Sequence, residues 1–149
     1  MRAVIQRVSS SSVKVDGEIT GKTDQGLMVL IGVEKGDTDK DARYIADKIS
    51  NIRIFEDEDD KMNLSVKDIG GSVLAVSQFT LMADARKGRR PGFTDAELPE
   101  QANELYGICC NMIRENGLHV EEGVFQAHMS VEIHNEGPVT ILLDSRRLF

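Results

Sequence analysis

The 149-residue chain is 40% hydrophobic and 29% charged, ordinary values for one globular domain that buries roughly 70% of its unfolded surface. Its formal net charge of −7 excludes a protein that grips nucleic acid mainly through a broadly basic surface. No apolar run approaches the length of a membrane span, the first residues lack a cleavable leader pattern, and the only cysteines, Cys109 and Cys110, are adjacent and poorly placed for an ordinary disulfide, so a reduced, cytoplasmic setting is expected.

Arg2 to Val8 and Val13 to Val15 alternate apolar and polar side chains, and Asp16-Gly17 supplies a turn, so the chain is expected to open as a β-hairpin. Leu27 to Val33, apolar except at Gly32, reads as a strand covered on both faces. Ala42, Ile45, Ala46 and Ile49 follow at helical spacing, behind Asp37, Asp39 and Asp41, whose charges suit a helix N-terminus. Ile52 to Phe55 predicts a strand, Glu56 to Asp60 a solvated hairpin tip, and Ser72 to Leu81 a long central strand. Met82 to Leu98, rich in Gly, Arg and Asp, reads as a loop long enough to suspect function. Pro99 and Glu100 suit the first turn of a second helix, whose stripe is Ala102, Leu105, Tyr106, Cys109, Met112 and Ile113 and whose end is Asn116-Gly117. Cys109 is thereby assigned to core packing. Leu118 to Val120, Met129 to Ile133 and Val139 to Leu143 read as further strands. There is no repeat, low-complexity tract or linker. Residues 1–149 are expected to form a single α/β domain, a curved, mixed, barrel-like sheet of about seven or eight strands covered by two helices.

Several catalytic signatures are missing: no Gly-x-Ser-x-Gly elbow, no P-loop, no His-Glu-x-x-His. His119, His128 and His134 have no Cys or second His at metal-ligand spacing, so no metal is expected, and a Ser-His-Asp triad gathered from distant residues stays open. What is present is Ser77-Gln78-Phe79-Thr80-Leu81, where an apolar strand runs out into polar side chains. On an extended strand Leu74, Val76, Gln78 and Thr80 share one face, so the last two continue an apolar face as polar groups that need partners. The pattern fits a strand end meeting water, and it also fits the floor of a pocket where the backbone N–H groups of Phe79 and Thr80 stabilise an oxyanion. A Thr80 nucleophile would need a neighbouring base that the sequence does not display. Arg86, Lys87, Arg89 and Arg90 cluster just beyond this segment, as a solvated loop or as phosphate contacts. Gly137-Pro138, within Asn135-Glu136-Gly137-Pro138-Val139-Thr140, is a corner between apolar runs. Only about 5–6% of X–Pro bonds in folded proteins are cis, so frequency alone predicts trans. On sequence grounds Arg7 is a surface strand residue and Met129 packs in the core.

Ser77 to Leu81 and Asn135 to Thr140, read with the opening Arg2 to Val8, closely resemble the signature segments of the D-aminoacyl-tRNA deacylases, cytosolic enzymes that hydrolyse the ester joining a D-amino acid to transfer RNA. The likeness spans the whole chain. It implies a homodimer with no cofactor, a substrate at the aminoacyl-tRNA acceptor end, and a catalytic segment of Ser77, Gln78, Phe79 and Thr80. It reverses the expectation at Gly137-Pro138: the matching motif is cis in the family and reaches into the partner subunit's active site. There its two carbonyls face the α-carbon of a bound aminoacyl group, so that an L side chain collides and the hydrogen of a D residue fits.

The resemblance further implies that Arg7 holds those carbonyls, that Met129 lines the pocket, and that Arg86, Lys87, Arg89 and Arg90 meet tRNA phosphates. Activation of water falls to the 2′-hydroxyl of the terminal ribose in preference to covalent attack by Thr80. Glycyl-tRNA, which presents no side chain to reject, is expected to be cleaved too. Arg90-Pro91-Gly92-Phe93 resembles the family's Arg-Pro-x-Phe, with Gly92 where Ser is common, which puts loop rigidity in question. Arg146-Arg147-Leu148-Phe149 receives no role. Two rival readings are a related editing hydrolase acting on an L-aminoacyl-tRNA, and a non-catalytic nucleic-acid or protein-binding module on the same scaffold.

Overall fold

A computed structural model describes all of residues 1–149. Its organising element is the first strand, β1 (Arg2–Val15), which runs straight through the Ser9 to Ser12 stretch where the alternation breaks. Those serines stay in the strand because they find partners: the Ser11 and Thr23 hydroxyls share a hydrogen bond of 2.7 Å across the hairpin. The predicted turn follows, with Asp16 at φ 49° and Gly17 at φ 80°, and leads into β2 (Glu18–Thr23). Both edges of β1 are used. One edge pairs antiparallel with β2 and with β3 (Gly26–Gly32), and the other pairs antiparallel with the last strand, β8 (Ser130–Asp144).

Between β3 and β8 the chain makes two crossovers to parallel strands. The first passes through α1 (Asp39–Asn51) and a small hairpin of β4 (Phe55–Glu56) and β5 (Met62–Leu64), and returns as β6 (Ser72–Ser77) beside β3. The second passes through α2 (Pro99–Glu115) and returns as β7 (Val120–Glu122) beside β6. The sheet order is β2-β1-β3-β6-β7, and β2 curls back to touch β6 and β7, so the sheet nearly closes. Both helices begin where the sequence places them. The Asp41 carboxylate accepts the Thr38 N–H at 2.8 Å at the start of α1, and Gly117, at φ 90°, ends α2.

Each face of the sheet buries its own apolar set. Alternate residues of β1, β3 and β6, among them Ala3, Ile5, Val29, Ile31 and Ala75, pack with Ile45 and Ile49 of α1 and Cys109 and Ile113 of α2. The opposite residues, Val8, Val13, Met28, Leu74 and Val76, fill the inside of the curl. Fully burying one such aliphatic side chain contributes about 1.5–3 kcal/mol, which is why the two-residue period of β1 holds it in register.

Three sequence expectations are corrected. The strand expected over Ile52 to Phe55 contracts to β4, because the Ile52 N–H is still bound to the Lys48 carbonyl (2.9 Å) at the end of α1 and Ile54 enters the core without strand pairing. The two last predicted strands are one, β8, which continues through Gly137-Pro138. The central strand stops at Ser77, four residues before Leu81, and a single 3₁₀ turn over Phe79–Met82 replaces its end. The acidic run does form a hairpin tip, held by the Asp57 carboxylate on the N–H groups of Asp59 and Lys61.

Cys109 and its neighbour Cys110 are both fully buried and free. Burial pushes the Cys109 thiol up, and it pushes that of Cys110 up to about 12. Since the thiolate is the reactive species, iodoacetamide at neutral pH is expected to leave both unlabelled in the native protein and to label both in denaturant. Mass spectrometry of the alkylated chain checks this, and native labelling of either cysteine contradicts the packing described.

Candidate active site

The site begins where the parallel pair of β3 and β6 runs out. The last register pair is Ile31 with Ser77, after which the Gln78 N–H still reaches the Ile31 carbonyl at 2.8 Å. Gly32 then allows the chain to turn sharply over it. A Cβ at Gly32 would lie only 3.0 Å from both the Gln78 carbonyl oxygen and the Leu81 Cβ. The 3₁₀ ladder starts with the Leu81 N–H on the Gln78 carbonyl (3.3 Å), so the leading amides, those of Phe79 and Thr80, have no acceptor within the turn. Gln78 and Thr80 therefore do not share a strand face as the sequence pattern implied. They meet through the turn, the Gln78 amide donating from Nε2 to the Thr80 hydroxyl at 2.8 Å.

Beside this turn lies a pocket of about 610 Å³. Ser77, Gln78, Phe79 and Thr80 form one wall, and Phe93, Ala96 to Pro99 and Ala102, from the end of the long loop and the start of α2, form a second. Phe125, Gln126, Ala127 and Met129 form a third, and Val33 and Lys35 complete the rim. Phe79 is 56% exposed despite its size. Its one aromatic partner is Phe93, edge to face with ring centres 5.1 Å apart, so the loop that carries the basic residues is tied to the turn by an aromatic contact. Ser77 to Thr80, one of whose two sequence readings was a pocket floor, and Met129, which the resemblance placed there, all line it, whereas Phe125 and Gln126 were not anticipated. Neither carries a sequence motif; it is the structure that sets Gln126 in a tight turn at φ 63°, in the left-handed region that side chains other than Gly, Asn and Asp seldom occupy.

Only two lining residues ionise, Lys35 and Glu97, and no histidine reaches the pocket. His119 is instead paired with Glu121 at 3.1 Å. The triad left open by the sequence is thus not assembled here, and the Thr80 hydroxyl has an amide, not a base, beside it.

Gly137 and Pro138 lie elsewhere. Between the pairs Gln6–Thr140 and Val8–Asn135, the residues Glu136 to Val139 of β8 stand opposite Arg7 alone, so they bulge outward and are mostly exposed. The Gly137–Pro138 peptide is cis, against the frequency-based expectation, and Gly137 has φ 119°. Arg7 fills the space beneath. It is buried, not on the surface; Nε donates to the Glu136 carbonyl (3.1 Å), and Nη1 donates to the Ile54 carbonyl (2.7 Å) and the Glu56 carboxylate (2.8 Å). The carbonyl it holds is thus that of Glu136, one residue before the motif. A hydrogen bond from Arg7 keeps the Glu56 carboxyl below its usual range. The stabilisation from this pair is whole above the ordinary carboxylate range and is lost as pH falls through the lowered value. None of Gly137, Pro138 and Arg7 lines the pocket of the same chain.

The loop over Met82 to Leu98 is pinned at its base, where Asp84 and Gly92 exchange both backbone hydrogen bonds at 2.8 and 2.9 Å. Gly92 has open space around it, its nearest neighbour being the Asp84 carbonyl 4.0 Å from a built Cβ, so serine would fit there. Arg86 is turned back onto Asp84, its Nε and Nη2 donating at 2.9 and 2.8 Å. Those bonds hold the Asp84 carboxyl well below its usual range and raise the pKa of the Arg86 guanidinium. Lys87, Arg89 and Arg90 are exposed and make no ion pair.

An α/β domain with a polar-ended pocket at the end of a parallel strand pair is the class that fold and site define. Residues 4–144 match the family described as D-Tyr-tRNA(Tyr) deacylase. Across 100% of both chains the sequence is 62% identical to the D-aminoacyl-tRNA deacylase of Anaeromyxobacter dehalogenans (strain 2CP-C) and 59% identical to that of Kosmotoga olearia (strain ATCC BAA-1733 / DSM 21960 / TBF 19.5.1). Among solved structures, the c-Myc DNA Unwinding Element Binding Protein superposes with a TM-score of 0.91 at 41% identity, over 97% of this chain and 98% of that one. The chain belongs to the D-Tyr-tRNA(Tyr) deacylase family.

If the loop meets phosphates, the three unpaired cations carry the contact. Neutralising Lys87, Arg89 or Arg90 should each reduce the slope of log affinity for tRNA against log salt by about 0.7–0.9. Neutralising Arg86, already engaged by Asp84, should change it less. Filter binding at several salt concentrations measures the slopes, and an unchanged slope in the triple variant makes this a solvated loop.

Proposed function

We propose that the protein hydrolyses the ester of D-aminoacyl-tRNA, releasing free tRNA and the D-amino acid, and that it acts in the cytoplasm, where tRNA is charged. The observation that carries this reading is the pocket beside the Phe79–Met82 turn, which offers backbone donors and no histidine, its one carboxylate, Glu97, being bound to the Leu98 N–H, in a chain whose relatives bear the deacylase name along their full length. Ester hydrolysis builds negative charge on the carbonyl oxygen, and the leading N–H groups of Phe79 and Thr80 are the donors suited to it. The Gln78 side chain fixes the Thr80 hydroxyl, and Met129 closes the far side. With an amide and not a base beside Thr80, activation of water is assigned to the 2′-hydroxyl of the terminal ribose, adjacent to the ester. No metal or cofactor enters this reading, and no helix of the protein is long and apolar enough to cross a membrane.

Chiral selection is assigned to Gly137 and Pro138 of a second copy, supported by their exposure in a bulge that does not line the pocket of their own chain. Leu142, 56% exposed on the sheet face turned away from the helices and directly across from Val4, suits the contact between the copies. A filter made of main-chain carbonyls ignores side-chain identity, so glycyl-tRNA is cleaved as well. A second reading, DNA binding, has one observation in its favour, the name of the superposing c-Myc DNA Unwinding Element Binding Protein. The net charge of −7 weighs against it.

D-Tyrosyl-tRNA should be hydrolysed two to three orders of magnitude faster than L-tyrosyl-tRNA, a difference of about 3–4 kcal/mol in transition-state free energy. Release of labelled tyrosine measures both rates, and comparable rates would sink the assignment.

Thr80→Ala tests the mechanism. Loss of a true nucleophile costs on the order of a million-fold in kcat; loss of a hydroxyl beside a working backbone donor should cost tenfold or less. Replacing the 2′-hydroxyl of the terminal adenosine with hydrogen should do much greater damage. A folded, substrate-binding but inactive Thr80→Ala protein, together with normal cleavage of the 2′-deoxy ester, would overturn the backbone-and-ribose mechanism.

A further inference from the structure

One cation at the pocket has no internal partner. Lys35 lies on the rim, and its ammonium makes neither a hydrogen bond nor an ion pair, although Glu97 lines the same pocket. Its backbone, by contrast, is held from several sides. The Lys35 N–H donates to the Asp95 carbonyl at 2.9 Å, and the flanking Glu34 bridges Ala96, so the turn after β3 is sewn to the pocket's second wall. Gly36, at φ +85°, lets the chain reverse there.

From below, Arg146 reaches up from beyond β8. Its Nη2 donates to the Lys35 carbonyl at 2.8 Å and lies 3.4 Å from the Asp37 carboxylate, and its Nη1 pairs with Glu34 at 3.1 Å. Asp37 is itself buried against the Met1 ammonium at 2.7 Å and accepts the Glu34 N–H at 2.6 Å. The Met1 ammonium also donates to the Ser145 hydroxyl, which donates on to Asp41, both at 2.7 Å. The carboxylates flanking the turn bond elsewhere: Glu34 Oε1 and Asp37 pair with Arg146 and the Met1 ammonium, Glu34 Oε2 is buried without a partner, and Glu97 Oε1 accepts the Leu98 N–H at 2.7 Å.

A rigid backbone carrying one free cation at a pocket mouth is the arrangement expected of an anion contact. Given the proposed function, on which this inference rests, the substrate has one kind of anion to offer. The aminoacyl end carries a positive α-ammonium, which Lys35 would repel, and the ester is neutral. The phosphates next to the terminal adenosine are negative. We propose that Lys35 binds the phosphate on the 5′ side of the terminal nucleotide, and that Arg146 is a positioning residue that sets the turn carrying it. The cations of the basic loop, by contrast, lie outside the pocket lining.

The test compares three D-tyrosyl esters: of tRNA, of adenosine 5′-monophosphate, and of adenosine. The readout is the ratio of kcat/KM for each phosphate-bearing ester to that for the adenosine ester, which cancels general damage to the fold. Lys35→Ala should lower both ratios by about fivefold, the size of one solvent-exposed charge contact, with the change in KM and not in kcat, and Lys35→Arg should restore most of it. Arg146→Ala should lower the ratios in the wild-type background and leave them alone in the Lys35→Ala background. Unchanged ratios in Lys35→Ala overturn the phosphate contact. A fall in the tRNA ratio alone moves the contact to a phosphate farther along and overturns the assignment to the terminal nucleotide. Additive effects of Lys35→Ala and Arg146→Ala overturn the positioning role. Wild-type protein inert toward all three esters overturns the proposed function itself, an outcome separate from each of these.

Discussion

Parallel pairing between β3 and β6 places the chemistry, because both strands end on the same side and at the same level. Each parallel pair needs a crossover, and α1 lies in the one from β3 to β6 and α2 in the one from β6 to β7, both packed on one face. The carboxyl end of such a pair is where loops diverge and a crevice opens. Gly32 adds the local condition. With no Cβ in the way, β6 turns over the end of β3 at close range, and the Phe79–Met82 turn, whose first amides have no acceptor within it, lines the space left by the diverging loops. Every other wall of the pocket is brought to this turn: Phe93 by its edge contact with Phe79, the Asp95–Glu97 segment by its bonds to the residues after β3, and Met129 by the approach to β8.

A second constraint acts through Arg7. A buried guanidinium has to have its donors satisfied, since an unpaired buried charge costs several kcal/mol. Here the partners come from three places in the chain: the Glu136 carbonyl, the Ile54 carbonyl and the Glu56 carboxylate. The bulge of β8 and the hairpin after α1 are thereby fastened to the middle of β1. Arg7 thus has a structural duty within one chain that is complete without any substrate. On the proposed reading its functional duty is indirect, through the posture of the Gly137–Pro138 bulge above it.

Much of this was legible in the sequence, for reasons that can be named. Both helices are carried by strong local signals: the Ala42, Ile45, Ala46, Ile49 spacing, and Pro99 at one end of α2 with Gly117 at the other. The strand through Leu27 and Ile31 is apolar on both faces and was unmistakable. What escaped depended on long-range partners. Ser9 to Ser12 look like a break until Thr23 and β8 are opposite them. Gln78 and Thr80 keep strand periodicity on paper, but the turn is imposed by β3 ending at Gly32, which period-two reasoning within one segment does not contain. Arg7 reads as a polar residue on an exposed face until carbonyls far along the chain converge on it. Lys35 carries no motif at all, and its isolation is visible only once Glu34, Asp37 and Glu97 are seen to bond elsewhere.

The negative net charge fits the proposed activity better than it first suggests. A protein that gripped every phosphate it met would be saturated by correctly charged and uncharged tRNA, which share the phosphate backbone with the substrate and outnumber it. Each phosphate contact adds about 0.7–0.9 to the salt slope, so a handful of local cations gives a brief, salt-sensitive hold. The excess of carboxylates elsewhere, 25 acidic residues against 18 basic ones, repels the remainder of the nucleic acid and shortens that hold further. Discrimination then rests on the pocket, where only the esterified end is distinctive. Binding energy spent equally on all tRNAs would lower KM without selecting a substrate, whereas donors aimed at an oxyanion act only on an ester that reaches the transition state.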